Sequence, residues 1–135
     1  DLGTGSGLAA IAAAKAGARS VLAADIDAIA VTATRLNANA NAVRVDTTTA
    51  DLLAAPLPAI DVVLVGDLFY ERTLADRVVV AIEAAAAKGT LVLIGDPQRN
   101  YFPRDRFERL ADYDVPVTRE IEDAENKKTA VWRLG

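Results

Sequence analysis

A chain of 135 residues is long enough for one domain with a sizeable core, and its 52% hydrophobic residues, largely Ala and Val, are available to fill it. The net charge of −4 argues against a partner held through nucleic-acid phosphates, and no apolar run reaches the roughly 18 residues that would suggest a membrane span. Without Cys or His, this segment has no thiol nucleophile, imidazole base or ordinary zinc site, so carboxylates, Tyr, Lys, backbone and water must move any protons.

The chain opens on Asp1-Leu2-Gly3-Thr4-Gly5-Ser6-Gly7. Glycines at alternate positions let the backbone turn sharply and approach a ligand with no Cβ in the way. The spacing is G-x-G-x-G, and Leu8 stands where a dinucleotide fingerprint wants its next glycine. Residues 9–16 read as a helix whose N-terminal amides face that loop, with Gly17 as its C-cap. Only Asp1 and Leu2 remain of the strand that should feed the loop, and no initiator Met is present. Residues 1–135 are therefore expected to form one domain that lacks its N-terminal segment.

Residues 20–24 predict a short strand ending at Asp25, and 28–40 a helix with Ile29, Ala33, Leu36 and Ala40 along one face. A strand follows over 43–48, then a loop over 51–58 with two prolines, then an apolar strand over 60–65 of the type buried on both sheet faces. Thr73 is expected to open a helix with Asp76 as its capping-box partner and Leu74, Val78, Ile82 and Ala85 as its buried stripe. A strand over 89–95 and a last helix over 102–111 come next. Tyr113, Val115 and Val117 alternate, as do Ala130, Trp132 and Leu134 beyond a charged turn at 122–128, which predicts an antiparallel hairpin on a sheet edge. The class is α/β: a doubly wound, Rossmann-like, mostly parallel sheet closed by a C-terminal antiparallel hairpin.

Ligands of such sheets bind outside the carboxyl ends of the parallel strands, which singles out five segments. The glycine loop is the first. Asp25 is the second: its two oxygens can accept from both hydroxyls of a ribose. Asp27 competes for that role, but it sits immediately before a helix and suits a cap better. Asp51 is the third, an acid able to accept from an adenine amine with Ala50 or Leu52 on the ring; the plainer alternative is a solvated loop acid. Gly66-Asp67-Leu68-Phe69-Tyr70-Glu71 is the fourth, where Asp67 and Glu71 could hold or deprotonate an amine and Phe69 and Tyr70 line a cation channel. The competing assignment puts Phe69 in the core and Glu71 on the surface. Gly95-Asp96-Pro97-Gln98-Arg99 is the fifth, either a wall of the acceptor pocket or an ordinary turn.

Together these residues resemble the class I S-adenosylmethionine-dependent methyltransferases, through Asp1 to Gly7, Ala24-Asp25-Ile26-Asp27, Leu36-Asn37-Ala38-Asn39-Ala40-Asn41 and Asp51-Leu52. The resemblance implies S-adenosylmethionine as cofactor and S-adenosylhomocysteine as product. Asp1, Gly3, Gly5, Gly7, Asp25, Asp51 and Asp67 would be its binding residues, with Asp25 on ribose and Asp51 on adenine. More narrowly, residues 66–71, 95–102 and Thr129-Ala130-Val131-Trp132 are similar to the lysine methyltransferases of the electron transfer flavoprotein β subunit, with the ribosomal protein L11 methyltransferases nearby. That implies a protein substrate bearing the target lysine, with Asp67, Tyr70 and Glu71 as catalytic residues, and neither nucleic acid nor membrane as partner. A cytoplasmic location is expected. The Asn-Pro-Pro-Tyr motif of methyltransferases acting on adenine, cytosine or glutamine amides is absent, and Asp67 takes its Asn place. An acid suits an amine that arrives protonated. A methyltransferase of a small amine such as nicotinamide would share every cofactor residue; a nicotinamide-dependent oxidoreductase and a non-catalytic cofactor-binding module are further alternatives.

Overall fold

The computed structural model describes residues 1–116 and 126–134. Its parallel part contains β1 (Leu22–Ala24), β2 (Asp46–Thr48), β3 (Val62–Gly66) and β4 (Leu91–Asp96), interleaved with α1 (Leu8–Lys15), α2 (Ala28–Ala40) and α3 (Arg72–Ala86). β1 pairs with β2 and β3 with β4, both in parallel. Leu2 joins the two halves by parallel bridges to Ala24 and Val65, and its N–H donates to Leu64 O at 2.9 Å.

The antiparallel end holds β5 (Glu108–Pro116) and β6 (Asn126–Leu134), in the order β3-β4-β6-β5. β6 runs antiparallel to β4, with Ile94 opposite Trp132, and β5 closes the edge. The hairpin is as expected, although Asn126–Lys128 belong to its second strand rather than to the turn. Val117 and the rest of that charged turn, 122–125, lie outside the described residues.

The expected helix over 102–111 does not form. A short 3-10 turn at Arg104–Arg106 leads directly into β5. Phe102 and Phe107 are both buried, with their rings stacked at 5.1 Å. Five residues apart on a helix they would point about 140° from each other, so a helix could not place both in one core. Phe102 also meets Phe69 edge-on at 4.8 Å and Trp132 at 5.2 Å. Each aromatic pair adds roughly 0.5–1.5 kcal/mol beyond its buried area. Pairing of 108–116 with β6 then overrides local helix preference.

Three further expectations change. In α2 the buried residues are Val31, Thr34 and Ala38, while Ile29 and Leu36 stay 78% and 65% exposed. Of these, Thr34 faces the glycine loop, so closely that a Cβ on Gly7 would crowd it. α3 begins one residue before Thr73 and is capped by Glu71, whose carboxylate accepts from Thr73 N and Leu74 N, both at 2.9 Å. In β3, Val63 and Val65 are buried but Val62 is 43% exposed, so only one face is fully covered. That face carries α3 (Ala75, Val78, Val79, Ile82) and the aromatic cluster in one core with Val92 and Ile94.

Candidate functional site

The glycine loop, Asp25, Asp51, Asp67 and Asp96 all sit at the carboxyl ends of parallel strands. The three glycines have φ of 62°, 55° and 88°, the left-handed region that L side chains avoid. A Cβ on Gly3 would come within 2.5 Å of Leu68 Cδ2, and one on Gly7 within 2.9 Å of Thr34 Cγ2. At Gly5 it would meet nothing within 4 Å. Gly3 and Gly7 therefore serve close packing, whereas Gly5 faces open space.

Asp1 ties the loop down, since its Oδ2 accepts from Thr4 Oγ1 at 2.6 Å and from Ala10 N in α1 at 3.1 Å. From α2, Thr34 Oγ1 donates to Gly5 O and Asn37 Nδ2 to Ser6 O, at 3.0 and 2.8 Å. Asp25 reaches the loop from β1: its Oδ2 accepts from Gly5 N at 2.9 Å and its Oδ1 from Asp27 N at 3.0 Å. One bond per oxygen leaves lone pairs for further donors. Asp27 turns away to cap α2 through Ile29 N at 2.8 Å, so Asp25 is the acid at the loop.

Asp51 is an exposed acid, but not an unpartnered one. Its Oδ1 caps the 3-10 turn at Leu52–Ala54 through Leu53 N, and its Oδ2 pairs with Arg77 of α3 at 2.6 Å. The Arg77 hydrogen bond is the largest cause holding its carboxyl below the ordinary Asp range; desolvation opposes it, and the Leu53 amide and the Arg77 charge add to the lowering. Arg77 had no local signal in the sequence, being 26 residues away.

At the end of β3, Asp67 has φ 55° and donates its N–H to Gly95 O at 3.0 Å, which binds the β3 and β4 ends together. Its carboxylate is clamped by Arg99: Nε to Oδ1 at 2.6 Å and Nη2 to Oδ2 at 2.8 Å. Arg99 is itself placed by Asp96, whose Oδ2 accepts from Arg99 N at 3.0 Å. Tyr70 is exposed, Phe69 is wholly buried in the aromatic cluster, and the Glu71 carboxylate is occupied by the α3 cap. The structure thus gathers Asp67, Asp96 and Arg99, gives Phe69 to the core and has each Glu71 oxygen accept one amide in the α3 cap.

Asp96 is 1% exposed, and its Oδ1 has no hydrogen-bond partner among the described residues. Burial first pushes its carboxyl above the ordinary Asp range, helped by the nearby Asp67 charge and opposed by the Arg99 and Gln98 amides and by Arg104. A raised folded value means that the folded state binds the proton more tightly than the unfolded chain. The wild type then gains stability as pH falls through that value toward the unfolded one, and Asn does not titrate. Melts of wild type and Asp96→Asn should therefore show the wild type gaining on the variant between pH 7.5 and about pH 4. A constant difference across that range would remove the buried charge as its cause.

Residues 1–95 match the sequence model of the ribosomal protein L11 methyltransferase family, PrmA. The chain belongs to that family. It is also 37% identical over 139 residues to the electron transfer flavoprotein beta subunit lysine methyltransferase of Danio rerio, and 36% identical over 138 residues to that of Rattus norvegicus. Each comparison covers 98% of this chain and 54% of the relative, so the chain spans about half the length of the curated relatives it matches. Among solved structures, the ribosomal protein L11 methylase of Lactobacillus delbrueckii subsp. bulgaricus superposes with a TM-score of 0.66 at 25% identity, covering all of this chain and 68% of that one. Magnesium protoporphyrin IX methyltransferase from Synechocystis PCC 6803 superposes with a TM-score of 0.68 at 15% identity, over 98% of this chain and 66% of that one. The second likeness concerns fold alone: a PrmA-family chain with the class I methyltransferase sheet.

Proposed function

We propose that this PrmA-family chain is the catalytic part of an S-adenosylmethionine-dependent protein-lysine methyltransferase, with the electron transfer flavoprotein β subunit as its substrate. The observation that carries this reading is the contact between the two loops. Leu68 packs against Gly3, so the Asp67 turn stands directly beside the glycine loop. An acid for the acceptor and a cradle for the donor are thereby neighbours. The names of the curated relatives support the choice of acceptor.

The residues fit the cofactor. The open space beside Gly5 admits a ligand against bare backbone, and Asp25 keeps lone pairs for ribose hydroxyls. Asp51, one strand further out, would accept from the adenine amine with its orientation set by Arg77. Gly3, Gly7 and Asp1 shape the cradle and Asp67 borders it. When bound, S-adenosylmethionine supplies a methyl group on a sulfonium, a leaving group that needs no acid from the protein. The chain's own task is positioning and exclusion of water. Free lysine has a pKa near 10.4, so only about one side chain in a thousand is neutral at pH 7.4. Asp67 is cast as the anchor that orients the amine, with the proton leaving to water, and Tyr70 borders the entry. Glu71 contributes through the α3 cap.

The test is methyl transfer from labelled S-adenosylmethionine by the full-length protein to the purified β subunit. Acid-precipitable label that hydrolyses to methyl-lysine is expected. Label confined to small molecules when cell extract is the acceptor source would replace this reading with a small-amine methyltransferase. Cofactor binding without transfer to any acceptor would leave a non-catalytic module.

A further inference from the structure

We propose that Arg99 is a positioning residue that makes the site select a neutral amine, by occupying the charge of Asp67 before the acceptor arrives. The inference rests on the preceding reading, in which Asp67 receives the acceptor nitrogen. A lone carboxylate there would work against the reaction: it would hold the lysine as an ammonium, which has no lone pair to attack with, and raise its pKa. The structure offers a different acid. Both Asp67 oxygens are bonded by one guanidinium in the fork-to-fork arrangement that suits Arg and not Lys.

That arrangement leaves about half of the carboxylate's lone pairs open. They can accept an N–H from a neutral amine and so aim its lone pair, while the adjacent guanidinium offsets the attraction for an ammonium. The clamp is built rather than incidental. Its two loops each carry a non-glycine residue in the left-handed region, Asp67 at φ 55° and Gln98 at φ 66°. Such conformations cost on the order of 1 kcal/mol each and persist where surrounding contacts hold them. The buried Asp96 holds the Arg99 amide, and the Asp67 amide is held by Gly95 O.

Around Asp67, β4 contributes Asp96, and the 3-10 turn after it Arg104, which acts on Asp96. The start of α3 contributes Glu71, engaged in its cap, and Arg72, which lies 5.2 Å over the Tyr101 ring. Arg99 is the group in direct contact.

In the step itself the neutral lysine nitrogen forms a bond to the methyl carbon, the carbon–sulfur bond breaks with its electron pair left on sulfur, and the methylated ammonium then loses a proton to water. Arg99 changes the fraction of acceptor that enters with a lone pair. It takes no part in bond making.

The experiment compares full-length wild type with Arg99→Gln and Arg99→Lys, using the electron transfer flavoprotein β subunit as acceptor over a range of about pH 7 to 11, which brackets the lysine pKa. Removing the guanidinium charge should raise the bound amine's pKa by about one unit, which is tenfold in its neutral fraction. Arg99→Gln is therefore expected to lose about tenfold in kcat at pH 7.5 with KM unchanged or lower, and its kcat–pH profile should level off about one unit higher than that of wild type. With S-adenosylhomocysteine bound, it should also bind the β subunit at least as tightly as wild type at pH 7.5. Arg99→Lys keeps the charge, so its pH profile should follow wild type even if its rate is lower, and it reads out the same proposal if the Gln variant does not fold. A kcat–pH profile that levels off at the wild-type pH, or a raised KM with unchanged kcat, would overturn the role assigned to Arg99 alone. Absence of transfer by the wild type would overturn the lysine reading itself, and this inference with it.

Discussion

Asp67→Asn is expected to lower kcat for methyl transfer about a hundredfold while leaving the affinity for S-adenosylhomocysteine close to wild type. The substitution is the mildest available at this position. Asp67 has φ 55°, and Asn is one of the few residues that tolerates the left-handed region, so the β3 turn should keep its shape. What changes is the bonding. Asn can accept one guanidinium donor from Arg99 but presents its own N–H groups to the second, so the two-pronged clamp with contacts of 2.6 and 2.8 Å is lost. Arg99 is then released toward the acceptor and no carboxylate orients the amine. Asp67→Ala combines that loss with about 1–2 kcal/mol of backbone strain, which makes it the less informative variant. Steady-state kinetics on the β subunit, with cofactor affinity by calorimetry, separate the outcomes. Unchanged turnover in Asp67→Asn would take Asp67 out of the acceptor site.

The frame of the site is legible in the sequence because it follows from local rules. Glycines at 3, 5 and 7 require positive φ, Asp25 ends a short apolar strand, and Asp27 stands where a helix needs a cap. All of these are encoded within a few residues of where they act. Partners that arrive from a distance are not legible. Nothing near Asp51 announces Arg77, and nothing near Asp67 announces that Arg99 would close on it across 32 residues. Glu71 has a role that its strand-mouth position did not announce: each of its oxygens accepts from an amide at the start of α3, Thr73 or Leu74. The same limit explains residues 102–111, where the sequence is compatible with a helix and only the distant Trp132 and β6 decide otherwise. In α2, hydrophobicity alone favoured Ile29 and Leu36 for the buried face, but the helix turns Val31, Thr34 and Ala38 inward, with Thr34 against the glycine loop.

Gly7→Ala should destabilise the fold by about 2–6 kcal/mol, from left-handed strain of roughly 1–3 kcal/mol and overpacking of similar size. Its φ is 88°, and the added Cβ would lie 2.9 Å from Thr34 Cγ2 and 3.2 Å from Thr34 Cα. The Cα belongs to the backbone of α2, so the helix must shift and not merely a side chain. That shift would stretch the Thr34 bond to Gly5 O and the Asn37 bond to Ser6 O, the two contacts by which α2 holds the loop. Gly5→Ala supplies the contrast. Its φ of 55° costs a comparable backbone term, but the new Cβ meets nothing within 4 Å, so stability should fall by only about 1–2 kcal/mol. Cofactor affinity should show the reverse order relative to stability, because the Gly5 methyl enters the open space assigned to the ligand. Denaturant unfolding of both variants, with calorimetry on S-adenosylhomocysteine, tests the pair. Thr34→Ala combined with Gly7→Ala should restore part of the lost stability, since it removes the Cγ2 in the clash while leaving the strain. If Gly7→Ala proved no more destabilising than Gly5→Ala, the approach of α2 to the loop would not be what fixes Gly7.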